Sequence, residues 1–212
     1  MRRPRSVGVS AVLGLLVWGG VAWTPAASAA TSHCLVINAT SGARYTSLQA
    51  AQNAAGAGAT LWLRGTCTGT TKITKNLTVT GQHRRGFTAP TLNGGGQGSV
   101  LAIRSGVALT VNTLAVTGGN AVSGGGIVVN TGSSLTLNNV TVSGNIAADA
   151  GGIFVSNGTV TLNGSATITG NTAAPADGGG IFNLCGTLHG AVAGAGGNVF
   201  NNKPDDIVSV CA

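Results

Sequence analysis

From Ala59 onward the chain runs in short strings in which apolar and polar residues alternate. Leu61 and Leu63 flank Trp62, Leu77 and Val79 flank Thr78, and Leu135-Thr136-Leu137 is followed by Val140-Thr141-Val142. A period of two puts the apolar side chains on one side of a strand and the polar ones on the other. Glycine and asparagine close the strings, where a chain must turn or adopt positive φ. One stretch departs from this rhythm. "YTSLQAAQNAAGAG", Tyr45 to Gly58, carries Leu48, Ala51 and Ala55 at helical spacing. It predicts a short helix with Thr46 or Ser47 as N-cap and Gly56 as the stop.

The strings recur. Gly-Gly-Ile stands at Ile127, Ile153 and Ile181, in steps of 26 and 28. Thr-apolar-Asn stands at Asn93, Asn112, Asn138 and Asn163, the last two steps being 26 and 25. Gly-Asn stands at Asn120, Asn145 and Asn171, in steps of 25 and 26. A unit this short cannot bury its apolar side alone, but stacked coils can, each strand pairing with its equivalent about 4.8 Å above and below. The chain therefore reads as an all-β parallel solenoid of about seven coils. Asn138 with Asn163, and Asn145 with Asn171, are expected to stack into amide ladders, as side-chain amides do in cross-β stacks. The short helix is expected to cover the first coil, where an open edge would invite aggregation.

At this point the chain resembles the right-handed parallel β-helix proteins of the pectate-lyase-like superfamily, and among them secreted bacterial proteins with repeats of the polymorphic outer-membrane-protein kind. "YTSLQAAQNAAGAGATLWLRGTCTG" looks like the first coil of such proteins and "GNVFNNKPDDI" like the last. Those repeats pair the glycine motif with Phe-x-x-Asn; here Val142 and Ile168 stand in the Phe place, before Asn145 and Asn171. The resemblance implies the fold, a single-stranded right-handed parallel β-helix with a short N-terminal capping helix. It does not carry an adhesin role across that departure.

Three features place the chain. Arg2, Arg3 and Arg5 precede an apolar run from Val7 to Trp23 and the small-x-small site Ala27-Ser28-Ala29, which reads as a signal peptide over residues 1–29. Residues 30–212 then form the single domain. Four cysteines in an exported chain read as two disulfides. Local pairing, Cys34–Cys67 with Cys185–Cys211, would staple both ends; the two other pairings stay open. The basic residues of the mature chain are scattered and lack interleaved aromatics, so no nucleic-acid partner is expected. Nor is a membrane span, and the chain is expected to be a monomer.

Chemistry is sparse. Enzymes on the resembling fold use clustered acids or Ca²⁺ on acids, and glycoside hydrolysis needs two carboxyls at a set separation. This chain has four acidic residues, Asp149, Asp177, Asp205 and Asp206. Asp149 and Asp177 each stand four residues before the repeat Ile, where Ser123 stands in the preceding repeat, and they are expected to share a column. They are the catalytic pair if the protein is a lyase or hydrolase. They are also a weak Ca²⁺ pair, since Ca²⁺ wants six or more oxygens; otherwise no cofactor or metal is expected. Asp205-Asp206 is expected to form a turn. The loops between the repeat Asn and the glycines lengthen along the stack, and such loops tend to carry function. Beside them Phe154 and Phe182 follow the repeat Ile and are expected to face outward as a sugar platform. Trp62 is a further candidate of the same kind. The function expected is non-catalytic extracellular recognition or surface coating, with a polysaccharide or cell-envelope ligand. The alternative is a polysaccharide lyase or glycoside hydrolase with a reduced acidic site. Ice binding by outward Thr136, Thr141, Thr161 and Thr167 comes third, because Asn and Ser are expected to interrupt the rows.

Overall fold

The computed structural model describes residues 33–175 and 177–211. The signal peptide expected over residues 1–29 lies outside the described residues. The first segments do not join the coils. Strand β1 (Leu35–Asn38) pairs antiparallel with both β2 (Arg44–Tyr45) and β3 (Ala59–Arg64). Between them helix α1 (Leu48–Ala54) is started by Ser47, whose side chain accepts the Ala50 N–H. Its Leu48 and Ala51 are buried against the first coil. The chain is a parallel β-solenoid of about six turns, one fewer than expected, because the residues up to Gly58 form this cap instead of a coil.

Each turn supplies one strand to each of three faces, and the third and fourth turns add one more. The first has β3, β4 (Thr66–Thr68) and β5 (Thr71–Ile73); the second has β6 (Leu77–Gly81), β7 (Thr91–Asn93) and β8 (Leu101–Ile103). The third has β9 (Ala108–Asn112), β10 (Ala115–Thr117), β11 (Asn120–Ser123) and β12 (Ile127–Val129). The fourth has β13 (Ser134–Asn138), β14 (Thr141–Ser143), β15 (Ile146–Asp149) and β16 (Ile153–Ser156). The fifth has β17 (Thr159–Asn163), β18 (Thr167–Thr169) and β19 (Gly178–Leu184). The last has β20 (Thr187–His189), β21 (Val199–Phe200) and β22 (Asp205–Val210). The first face stacks β3-β6-β9-β13-β17-β20, with β1 and β2 added at its head. The second stacks β4-β7-β10-β14-β18-β21 and the third β5-β8-β12-β16-β19-β22. Strands β11 and β15 form a small fourth sheet. The sequence predicts loops here; instead the two segments pair in parallel, with Asn120 in register with Ile146 and Ser123 with Asp149.

The alternation decides the interior. Leu61, Val79, Val111, Leu137 and Leu162 form one inward column of the first face. Leu101, Ile127, Ile153 and Ile181 form another on the third, each fully buried. The Gly-Gly-Ile motif follows from the corner before that column. A Cβ on Gly126 would stand 2.6 Å from the Gly152 carbonyl oxygen, and one on Gly152 would stand 2.4 Å from that of Gly180. Only glycine lets successive corners stack this closely.

Two amide ladders run along the axis. The outer one is partly exposed: Asn163 Nδ2 donates to Asn138 Oδ1 at 2.9 Å, Asn138 Nδ2 to Asn112 Oδ1 at 2.7 Å, and Asn112 Nδ2 to Thr80 Oγ1 at 3.0 Å. The inner one is buried. Asn145 donates its backbone N–H and Nδ2 to Asn171 Oδ1 at 3.1 and 2.9 Å, and Asn171 does the same to Asn202 Oδ1 at 3.0 and 2.9 Å. Asn202 in turn donates both groups to Asp206 Oδ1 at 3.0 Å. Two expectations are corrected here. Asn120 is not the equivalent of Asn145; that place belongs to Gly119, whose N–H donates to Asn145 Oδ1 at 2.9 Å. Asp206 is not in a turn but in β22, where it ends the buried ladder with a charged acceptor. Two disulfides, Cys34–Cys67 and Cys185–Cys211, staple the two ends.

Asn171→Leu removes the acceptor of two buried donors. It should lower stability by on the order of 2–4 kcal/mol, whereas Asn163→Ala at the exposed end of the outer ladder should change it by about 0.5 kcal/mol or less. Urea denaturation midpoints check both.

Candidate functional site

What a coil does not bury, the stack repeats outward. On the first face Trp62, Thr80, Asn112, Asn138 and Asn163 stand in register as one outward column. Beside it run Thr60, Thr78, Thr110, Thr136 and Thr161, ending at His189. This threonine column is uninterrupted, because the asparagines keep to their own column. On the second face Thr66, Thr91, Thr141 and Thr167 share a column broken by Ala115. Trp62 is half-buried, and its neighbour Arg64 donates from Nε and a terminal nitrogen to Gln82 Oε1 at 3.2 and 2.8 Å. Burial lowers the Arg64 pKa first, and the charges of Arg84 and Arg44 lower it further.

The third face is apolar toward its end. Lys72, Ala102, Val128, Phe154, Phe182 and Val208 form its outward column. The rings of Phe154 and Phe182 stack with centroids 5.8 Å apart and planes 4° from parallel. Each ring turns a face to the other, so the pair presents edges outward. Leu184 and Val210, 36% and 45% exposed, extend the strip. A groove of about 240 Å³ lies at the other end of this face, beside Lys72, Ala102 and Arg104.

The acidic residues are placed separately. Ser123 Oγ donates to Asp149 Oδ2 at 2.9 Å across the β11–β15 pair, as the shared column predicts. Asp177 stands outside that pair, in a bend before β19. The step from Ile153 to Ile181 is two residues longer than that from Ile127 to Ile153, and the extra chain lies in this loop. Asp206 Oδ2 accepts the Gly194 N–H at 3.1 Å while Oδ1 ends the inner ladder. Among the described residues no three His, Cys, Asp or Glu side chains gather to hold a metal ion. No helix among them is long and apolar enough to cross a membrane.

The cluster around Trp62 is what residue spacing does not reveal. Arg44 reaches the first face only because β2 folds back antiparallel on β1, placing Arg44 opposite Ile37 and Ile37 opposite Trp62. Comparison with protein-family models, with curated proteins and with solved structures finds no match.

The Phe pair and the Ile beneath it separate surface from core. Phe182→Ala should cost about 1 kcal/mol, as one of a half-buried cross-strand pair, whereas Ile181→Ala should cost about 2–5 kcal/mol as a fully buried residue. Denaturation of the two variants measures the difference.

Proposed function

We propose that the protein is a secreted, non-catalytic β-helix of the pectate-lyase-like kind, whose first face binds an extended polysaccharide. One observation supports this most: Trp62 heads a straight outward column of Thr80, Asn112, Asn138 and Asn163, with the threonine column alongside. An indole offers a broad apolar surface for the C–H side of a sugar ring and a polar N–H at its edge. Asn112 and Asn138 each use one N–H and one oxygen lone pair on their neighbours, and Asn163 uses one N–H, which leaves each of them both a donor and an acceptor for sugar hydroxyls. The rows repeat about every 4.8 Å, close to the length of one sugar residue. Because parallel strands hold the rows, little conformational freedom is lost on binding. The rival reading, cleavage at Asp149 and Asp177, draws its support from the two carboxyls before the repeat Ile.

Mature protein is incubated with neutral and acidic polysaccharides, with Ca²⁺ and with chelator, and both retention and chain length are scored. Retention without shortening is expected, falling about tenfold or more in Trp62→Ala, a loss of ~1.4 kcal/mol or more. Loss of retention in Phe154→Ala with Trp62→Ala unaffected would move the ligand to the third face. Shortening that disappears with chelator and in Asp149→Asn would establish the lyase instead.

Ice binding is favoured by one feature, the unbroken run Thr60, Thr78, Thr110, Thr136 and Thr161 on a face whose arginines, Arg44 and Arg64, stand only at its head. A gap between melting and freezing temperatures, removed by Thr110→Lys, would establish it; nanolitre osmometry without such a gap rejects it.

A further inference from the structure

Charge is segregated along the solenoid. Arg44, Arg64, Lys72, Lys75, Arg84, Arg85 and Arg104 all lie in the cap and the first two turns. Asp149, Asp177, Asp205 and Asp206 lie in the fourth turn and beyond, where Lys203 is the one Lys or Arg among them. Within the basic end, three arginines approach the surroundings of Trp62 from three different elements. Arg44 is on β2 and faces the same side as Trp62, with Ile37 between them in register. Arg64 ends β3, two residues past Trp62. Arg84 is in the segment after β6, two residues past Gln82, and is exposed.

Lys75 caps the end of α1 by donating to the Asn53 and Ala55 carbonyls, but the three arginines are not used in that way. Arg64 is oriented by a neutral amide, Gln82, rather than by a carboxylate. A guanidinium has five N–H donors; Gln82 takes two of those on Arg64 and holds the plane, so the rest are pre-oriented for another acceptor. Arg84 and Arg44 are near enough for their charges to disfavour the charge on Arg64. An anion would relieve that repulsion. Its shape follows from the approach directions. A planar carboxylate is matched by one guanidinium fork. Donors arriving from a cap strand, a coil strand and a following turn surround a tetrahedral oxyanion with three free oxygens better than a flat one.

We infer that Arg44, Arg64 and Arg84 form a site for a sulfate or phosphate ester carried on a saccharide, with Trp62 lying against the sugar ring. The site rests on the polysaccharide reading above and adds the substituent its ligand carries. Arg64, held by Gln82, supplies the fixed contact, and Arg44 and Arg84 close on the ester from either side. The uncharged asparagine and threonine columns then track the chain away from the anchored residue.

The test uses one polymer in four forms: dextran, carboxymethyl-dextran, dextran sulfate and dextran phosphate, the charged forms matched in charge density. Affinity electrophoresis of the mature protein at moderate salt is expected to show at least tenfold tighter retention by the sulfate and phosphate forms than by the carboxymethyl form. The Arg64→Gln/Arg84→Gln double variant should lose that preference and keep the weaker retention by plain dextran. A Lys72→Gln/Arg104→Gln variant, with the same loss of charge on the third face, should bind as the parent does. The sulfate and phosphate forms together tell which ester is preferred. Equal retention by the carboxymethyl form, an equal loss in both charge-removed variants, or tighter binding of single-stranded DNA than of dextran phosphate would overturn the site. If plain dextran and other neutral polymers are not retained but the ester forms are, in an Arg64-dependent way, the neutral-face reading fails while the anion site stands. Melting temperatures of the variants, expected within a few degrees of the parent, separate loss of binding from loss of fold.

Discussion

The buried column Asn145–Asn171–Asn202–Asp206, met by the Gly119 N–H, holds the third to the last coils over one another in one register. Each asparagine gives its backbone N–H and its side-chain amide to the side-chain oxygen of the next member, and the series ends on the Asp206 carboxylate. Aligned amides polarise one another in a low-dielectric interior, and a charged acceptor at the end strengthens the series. A coil shifted by one residue would leave several buried donors and acceptors unmatched at once, besides turning its apolar side chains to solvent. At the far end the series finishes on the Gly119 backbone, because a Cβ at that corner would stand 1.7 Å from the Gly125 carbonyl oxygen.

Fixed register turns a short sequence unit into extended surfaces. Ile lies over Ile in the interior, Phe154 lies over Phe182 outside, and Thr and Asn keep to separate outward columns. A residue that is unremarkable in one coil becomes part of a row through repetition. Little of this depends on charge, since ladders, apolar columns and disulfides hold the fold. The arginines gathered near Trp62 are therefore available to a ligand in a way that structural charges are not.

Much of this architecture was legible in the chain. The alternation of Leu61, Trp62 and Leu63 told which side chain turns outward, and the spacing of the repeat Ile told which residues stack. Of the three pairings the four cysteines allow, the local one that staples both ends is the one formed, Cys34 with Cys67 and Cys185 with Cys211. The departures came where one residue of register matters. Asn120 follows two glycines and looks like Asn145 in the sequence, yet backbone pairing makes Gly119 its equivalent. The stretches before the glycine motif looked like lengthening loops, and two of them pair as β11 and β15. Asp205-Asp206 looked like a turn because the demand for an acceptor at the end of a buried ladder is not visible locally.

By itself the sequence determined the period, the inward and outward sides of each strand and the capped N-terminal end, because these depend on local alternation and on apolar surface that one coil cannot hide. Only the tertiary structure decided which residues of distant coils become neighbours. It set Asp149 against Ser123 and left Asp177 in a lengthened loop. It turned the faces of Phe154 and Phe182 toward one another. It brought Arg44 to the side of Trp62 by folding a strand back antiparallel. The physical reason is that a strand's faces follow from its own residues, whereas its register and direction follow from the hydrogen bonds of the strand it meets.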